Sequence, residues 1–305
     1  MHDPLKLSFP VSTLDRKELL PAGTRLTEDV LQQLIRSDPM KIFPSMRLME
    51  HGSIAADVNR ICKRAPYNQI FSNALRKKDV FDAMGRVELN QPLLDIYDYF
   101  KSRDPYTYVH MLTVFALSLL LAQDLIDNRA ELAREVAAAP THDFGKICVP
   151  AGVLRKSTPL TASEQLTLSQ HAAAGYVILG YYLKDPDHPA AIAARDHHER
   201  CDGSGYPRGI KLRSKVVEIV AVGDVFDALI SPRPYRRRSY ELRAALEELT
   251  AQADRGALSR DVVKALVCCN RKDNPQYTRC RVSREKRSSP PSDNLYKGTV
   301  PGGDG

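Results

Sequence analysis

The 305-residue chain has no CxxC pair, no internal repeat, no acidic phosphoacceptor pattern and no long apolar run. Each absence removes a class of protein. The six cysteines, Cys62, Cys148, Cys201, Cys268, Cys269 and Cys280, are scattered, which fits small buried thiols in a reducing compartment. Without a phosphoacceptor pattern the N-terminal part is not a receiver domain. No stretch approaches the roughly 18 apolar residues that span a bilayer, and the apolar segment Met111 to Ala122 is shorter than that. Met1-His2-Asp3-Pro4 lacks the basic region and apolar stretch of a secretory signal, so a cytoplasmic location is expected.

Charge is unevenly distributed. The net charge is +7, and residues 271 to 287, with seven Lys/Arg and two Asp/Glu, supply +5 of it. This segment runs into Ser288-Ser289-Pro290-Pro291-Ser292, and it reads as a poorly ordered, solvated basic tail over 271–305 rather than a nucleic-acid-binding arm.

What the chain does have is histidine in company. Of its eight histidines, His110, His142, His171, His197 and His198 fall in sequence with Asp143 and Asp224. Neutral imidazoles and carboxylates are the usual ligands of divalent transition metals, and such groups are costly to bury unpaired. Together they point to a metal-dependent hydrolase. His188, in Asp185-Pro186-Asp187-His188-Pro189, reads as a surface loop residue, and His2 and His51 have no supporting context.

The text around these residues is more specific. It runs His142-Asp143-Phe144-Gly145-Lys146, then His171 four residues before Gly175. Next comes His197-His198-Glu199-Arg200-Cys201-Asp202-Gly203-Ser204-Gly205-Tyr206-Pro207, followed by Gly223-Asp224-Val225-Phe226-Asp227 and Arg233-Pro234-Tyr235-Arg236. Over roughly residues 100 to 250 this resembles the HD-GYP family, HD phosphohydrolases that hydrolyse cyclic di-GMP.

The resemblance implies a pair of divalent ions, iron or manganese, with Asp143 bridging them. His110, His142 and Asp224 would complete one shell, and His171, His197 and His198 the other. Two metals roughly 3.5 to 4 Å apart suit phosphodiester hydrolysis, because they lower the pKa of a bridging water and hold the phosphate oxygens. The implied reaction converts cyclic di-GMP to pGpG, and onward to GMP, through a metal-bridging hydroxide. The alternatives are a different cyclic dinucleotide such as cyclic GMP-AMP, or a scaffold that binds metal and nucleotide without turnover.

Lys146 and the arginines of the Arg-Pro-Tyr-Arg segment, Arg233 and Arg236, would hold substrate phosphate. Asp227, one turn after Asp224, orients either a ligand or the nucleophilic water. Tyr206 borders the substrate, and its Gly205-Tyr206-Pro207 loop would dock GGDEF-domain partners. A homodimer is compatible with the family; a membrane or nucleic-acid partner is not expected.

Three departures from the family pattern stand out. Tyr106 occupies the position, one turn before His110, where some relatives carry a third-metal glutamate, so two ions are expected. Pro140-Thr141 precedes the His-Asp pair, so any helix there must begin late or kink. Pro232 replaces the usual aspartate before Arg233.

The apolar periodicity predicts a mainly α protein: an HD-type helical bundle over 96–270 with a smaller α/β or mixed accessory domain over 1–95. In the accessory part Leu5 to Phe9 is extended, Pro21-Ala22-Gly23 turns, a helix starts at its cap Thr27, and a strand is expected around Lys41-Ile42-Phe43. Residues 46 to 95 read as short helices, with Asn90-Gln91-Pro92 opening the next one. Met111 to Leu121, apolar all round, is expected at the bundle centre. Further helices are predicted over Leu166 to Tyr182, Ala190 to Glu199 and Val216 to Leu229, and two amphipathic ones follow on either side of Gly256. Adjacent side chains on a helix diverge by about 100°, so His197 and His198 converge on one ion only if their helix ends there.

Overall fold

The computed structural model describes residues 5–38, 43–128, 138–232, 238–271, 277–283 and 285–291. Three short antiparallel pairs precede or flank the first helices. β1 (Leu5–Lys6) pairs with β4 (Arg25–Leu26), β2 (Val11–Ser12) with β3 (Glu18–Leu20), and β5 (Ser45–Arg47) with β6 (Glu88–Asn90). The strand expected around Lys41-Ile42-Phe43 is corrected in part. Phe43 is not in a strand, Lys41 and Ile42 lie outside the described residues, and the observed strand begins at Ser45, where pairing with Asn90, far along the chain, begins. Helix α1 (Glu28–Ser37) starts where expected, with the Thr27 hydroxyl accepting the Val30 amide.

The helices that follow are α2 (Ile54–Lys63), α3 (Tyr67–Ile70), α4 (Ala74–Met84), α5 (Gln91–Arg103) and α6 (Pro105–Leu125). Asn90 caps α5 by accepting the Leu93 amide, and Asp104 caps α6 by accepting that of Thr107. α6 is the axis of the molecule: every residue from His110 to Ala122 is buried, and α2, α4 and α5 pack around it. By length and composition alone this 21-residue helix could cross a membrane, which corrects the reading that no segment approaches that length. The share of it buried inside the protein, and the histidine in its second turn, make it a core helix instead.

The second half comprises α7 (Ala151–Leu154), α8 (Ala162–Ser169), α9 (His171–Leu183), α10 (Pro189–Asp196), α11 (Lys215–Ile230), α12 (Leu242–Asp254) and α13 (Arg260–Cys269). One apolar cluster runs from Leu7 to Cys269, so the buried side chains before residue 96 share a core with those of the bundle. α1 sits directly on α9, with Leu31 occupying the space that a side chain at Gly180 would need.

Two departures from the expected helices position the site. The single helix foreseen over Leu166 to Tyr182 is broken at Gln170, whose carboxamide bonds the backbone of Ser8 and Phe9 instead; His171 thereby becomes the first residue of α9. Around the His-Asp pair there is no α-helix at all. Ala139–Thr141 and Phe144–Cys148 are 3₁₀ turns on either side, consistent with the proline at 140.

The C-terminal expectations also change. Cys268 and Cys280 form a disulfide, with Cα atoms 6.1 Å apart, so these two are not separate thiols. Within the described part of the tail, the Glu247 carboxylate accepts the backbone amides of Arg287 and Ser288, which ties the basic segment to α12.

The 3₁₀ turn after Asp143 lies hard against α9, and Gly145 makes that possible. A Cβ at this position would stand 1.9 Å from the His171 carbonyl oxygen and 2.3 Å from the Gly175 nitrogen. Backbone cannot yield as a side chain does. Gly145→Ala is expected to cost about 3 kcal/mol, the upper end of the usual range for overpacking, and to weaken metal binding by moving Asp143 away from His171. Urea unfolding with a parallel Mn²⁺ titration measures both, and an alanine variant matching the parent in each would show that this contact does not hold the site.

Candidate metal centre

Five separate pieces of chain deliver the site. His110 comes from α6, His142 and Asp143 from the junction of the two 3₁₀ turns, His171 from the start of α9, His197 and His198 from just beyond α10, and Asp224 from the middle of α11. The end of α10 at Asp196 frees the His197-His198 doublet from helical geometry, as the convergence of both rings requires.

The seven side chains sort into two groups and a bridge. Ligand atoms of His110, His142 and Asp224 all lie within 4.8 Å of one another, as do those of His171, His197 and His198. Asp143 stands between them. Its Oδ2 is 3.6 Å from Nε2 of both His110 and His142, and its Oδ1 is 3.4 Å from His171 Nε2 and 3.9 Å from His197 Nε2. Asp224 joins the groups a second time, with Oδ1 3.2 Å from His110 Nε2 and Oδ2 3.7 Å from His198 Nδ1.

The outer faces of the rings decide what the inner faces offer. His142 Nδ1 bonds the Ala139 carbonyl at 2.7 Å, His171 Nδ1 that of Leu168 at 2.6 Å, and His197 Nδ1 those of Ala193 and Ala194 at 3.0 Å. A carbonyl only accepts, so each Nδ1 carries the hydrogen and each neutral ring turns an Nε2 lone pair inward. His142 Nε2 is buried with no hydrogen-bond partner among the described residues. His171 Nε2 faces two other ring nitrogens, those of His197 at 3.3 Å and His198 at 3.1 Å. Converging lone pairs of this kind repel one another unless a cation lies among them, so the donor set fits divalent metal ions at both groups.

Electrostatics keep the ligands in their binding forms. Burial pushes His171 and His197 down to about 4, and lowers His142 and His198 as well, so these rings are neutral. Burial opposes charge on Asp143 too, but the Lys146 ammonium and the surrounding rings hold it well below the carboxylate range. Asp224 is likewise held low by His110. His110 differs: burial disfavours its charge, yet the carboxylates of Asp224 and Asp227 outweigh this and raise it to about 9. Metal binding there must displace a proton.

The remaining candidates fall into three kinds. Lys146, at the rim, donates to Asp143 Oδ2 at 2.5 Å. Asp227 does not face the centre; of its expected roles, orienting a ligand or the water, its contacts match the first. Its Oδ2 accepts His110 Nδ1 at 2.5 Å while its Oδ1 takes the hydroxyls of Tyr67 and Ser231, so it is a positioning residue. Tyr206 stacks on His198, with ring centroids 4.6 Å apart and planes at 24°, beside an open cleft of about 530 Å³ that Arg200, Gln252 and Arg255 also line. Tyr106 lies on the His110 side of α6, its ring parallel to the imidazole at 6.0 Å. Arg233 and Arg236 lie outside the described residues.

The two described histidines set aside have other partners. His188 caps α10 by accepting the Ala190 amide, His51 pairs with Asp98, and His2 lies outside the described residues.

Two residues escaped the sequence reading. Glu199, fully buried, accepts the amides of Arg208 at 2.7 Å and Ile210 at 3.1 Å and so ties down the loop that carries Tyr206. Its place directly after the histidine doublet, with no ligand role, was the available signal. Tyr67 had none, since its partner Asp227 is distant in sequence.

This centre is set in a helical bundle and built around a His-Asp pair. The HD domain family matches residues 44–262, and the chain belongs to it. Among curated proteins it is 42% identical over 138 residues to the cyclic di-GMP phosphodiesterase response regulator RpfG of Xanthomonas campestris pv. campestris, covering 45% of this chain and 36% of that protein. It is 36% identical over 179 residues to a cyclic di-GMP phosphodiesterase of Thermotoga maritima, covering 58% of this chain and 48% of that one. To the 3'3'-cGAMP-specific phosphodiesterase 3 of Vibrio cholerae it is 36% identical over 137 residues, with 44% and 29% covered. The chain therefore spans less than half the length of each of these relatives. The match to this family agrees with the HD-GYP resemblance of the motifs.

Asp143 serves both groups, so Asp143→Ala is expected to lower metal content by at least one ion per chain, with the helical circular dichroism retained. Elemental analysis after desalting reads it; a variant still carrying the parent's full metal content would remove Asp143 from the bridge.

Protonation sets a second expectation, for the metal-free protein. His171 and His197 are depressed below the ordinary value of about 6.5, so their contribution to stability is complete above that pH and lost as pH falls through about 4. His110 is raised, so its contribution is complete below about 6.5 and lost as pH rises through about 9. The chelator-treated protein should therefore melt highest near pH 6.5, with Tm falling on both sides. A Tm that is flat from pH 4 to 9 would contradict the buried, neutral-ring arrangement.

Proposed function

We propose that the protein is a metal-dependent phosphodiesterase that opens a cyclic dinucleotide, with cyclic di-GMP converted to linear pGpG and then to GMP. The observation that carries this reading is Asp143, which turns one oxygen to each of two imidazole-rich groups. When bound, a pair of divalent ions supplies deprotonation of water and positive charge for the phosphate oxygens. Two ions per chain, iron or manganese, suit the mixed nitrogen and oxygen donors.

The chain's own residues then divide the work. The seven ligands hold the ions, and Asp227 fixes the ring of His110 through Nδ1. Lys146, already paired with a carboxylate oxygen at the rim, offers its ammonium to a substrate phosphate. Tyr206 gives a purine a flat surface next to His198. Arg233 and Arg236 are assigned to phosphate by their motif alone. The partly exposed Gly205-Tyr206-Pro207 loop is the surface proposed for GGDEF-domain partners, and the segment 1–95 is proposed as an accessory unit that acts through the shared core.

A second reading within the same chemistry is hydrolysis of 3'3'-cGAMP. It is supported by the relatives from Vibrio cholerae that bear that specificity in their names, at 30 to 36% identity.

The experiment is incubation of anaerobically purified, Mn²⁺- or Fe²⁺-loaded protein with cyclic di-GMP and with 3'3'-cGAMP, products being identified by mass spectrometry. Linear dinucleotide from cyclic di-GMP is expected. Faster turnover of 3'3'-cGAMP would favour the second reading, and metal-loaded protein that binds but cleaves neither would replace the enzyme with a scaffold.

A further inference from the structure

The segment before the motif-bearing helices reaches the surroundings of His110 through Tyr67. Tyr67, the first residue of α3, is buried, and its hydroxyl donates to Oδ1 of Asp227. The same oxygen accepts the hydroxyl of Ser231 at 2.7 Å, and the other oxygen, Oδ2, accepts His110 Nδ1 at 2.5 Å. Asp227 is itself almost wholly enclosed, so these three donors account for its orientation. Through this carboxylate the hydroxyl of Tyr67 acts on the tautomer and tilt of His110, which presents Nε2 to Asp143 and Asp224.

We propose that Tyr67 is a positioning residue for the His110–His142–Asp224 half of the centre, by which the α2–α3 corner of the accessory segment sets metal affinity at that half and leaves the His171–His197–His198 half untouched. The asymmetry follows from the outer bonds of the rings. His142, His171 and His197 are held from behind by carbonyls of their own local chain, and such bonds form whenever that turn forms. His110 alone among these four is held by a side chain, and that side chain is held in turn by a residue from another part of the sequence. Ligand-orienting partners of this kind change metal affinity by roughly 10- to 100-fold when removed.

This inference rests on the metal reading above. Its test is a Mn²⁺ titration of metal-free protein by calorimetry, with ion positions in crystals of the loaded protein located by anomalous scattering. Tyr67→Phe deletes one oxygen and keeps the ring. The parent is expected to bind ions at both halves, and Tyr67→Phe to lose about ten-fold or more in affinity at the His110 half only, with kcat reduced and KM for dinucleotide little changed.

Ser231→Ala, which removes the second donor to the same oxygen, is expected to act in the same direction and reports on the chain of bonds should Tyr67→Phe fold poorly. Ile70→Val, a packing change in the same short helix, is expected to lower Tm without splitting the two affinities. If the parent loads both halves and Tyr67→Phe and Ser231→Ala either leave the isotherm unchanged or weaken both halves equally, this inference fails alone. A parent that binds no ion at the His110 half would overturn the metal reading and this inference with it.

Discussion

A buried carboxylate ringed by imidazole lone pairs is the constraint on which the structure turns. Asp143 is 2% exposed and lies within 4 Å of Nε2 on four histidines, three of which have their only hydrogen committed to a backbone carbonyl. An arrangement with so many acceptors and so few donors is unstable in a low-dielectric interior unless positive charge completes it. Lys146 and a protonated His110 supply part of that charge in the protein alone. Divalent ions would supply it more fully, which is why the same residues suit a metal centre.

Much of the local architecture can be understood as the means of holding that carboxylate in place. Regular helix would not present His142 and Asp143 together with His171, so the chain uses two 3₁₀ turns joined at the pair. Gly145 lets the second turn touch the backbone of α9. Gln170 interrupts the preceding helix and starts α9 at His171, its carboxamide satisfied by the backbone of Ser8 and Phe9 between β1 and β2. The apparently separate N-terminal segment thus contributes to the centre twice, through the contact at Gln170 and through Tyr67 on Asp227.

The motif loop follows the same economy. Gly205 packs against the backbone of His198 to Arg200, where a Cβ would collide, and Glu199 gathers two loop amides from below. Tyr206 is thereby laid flat on His198 rather than left free in solvent. Any group that stacked on Tyr206 would also bear on His198, a candidate metal ligand, and would so couple its own binding to the geometry of the centre.

The seven candidate ligands were legible as residue types in the motifs, while their division into two groups around Asp143 was what the family resemblance implied; the fold brings the side chains together in that arrangement. The central helix was legible from the unbroken apolar run Met111 to Leu121, and the end of α10 from the need of two adjacent histidines to converge. What the sequence could not express were relations between distant segments: that Asp227 turns away from the centre to Tyr67, that Gln170 breaks a helix for the sake of Ser8 and Phe9, that Cys268 meets Cys280, and that β5 pairs with β6. Residue identity determines which atoms can bind a cation and which backbone each stretch prefers; these are short-range properties carried by neighbours in the chain. Which oxygen faces which ring, and which tyrosine steadies it, is decided only when α3, α6, α9 and α11 pack, since packing free energy depends on shape and contacts that no linear spacing records.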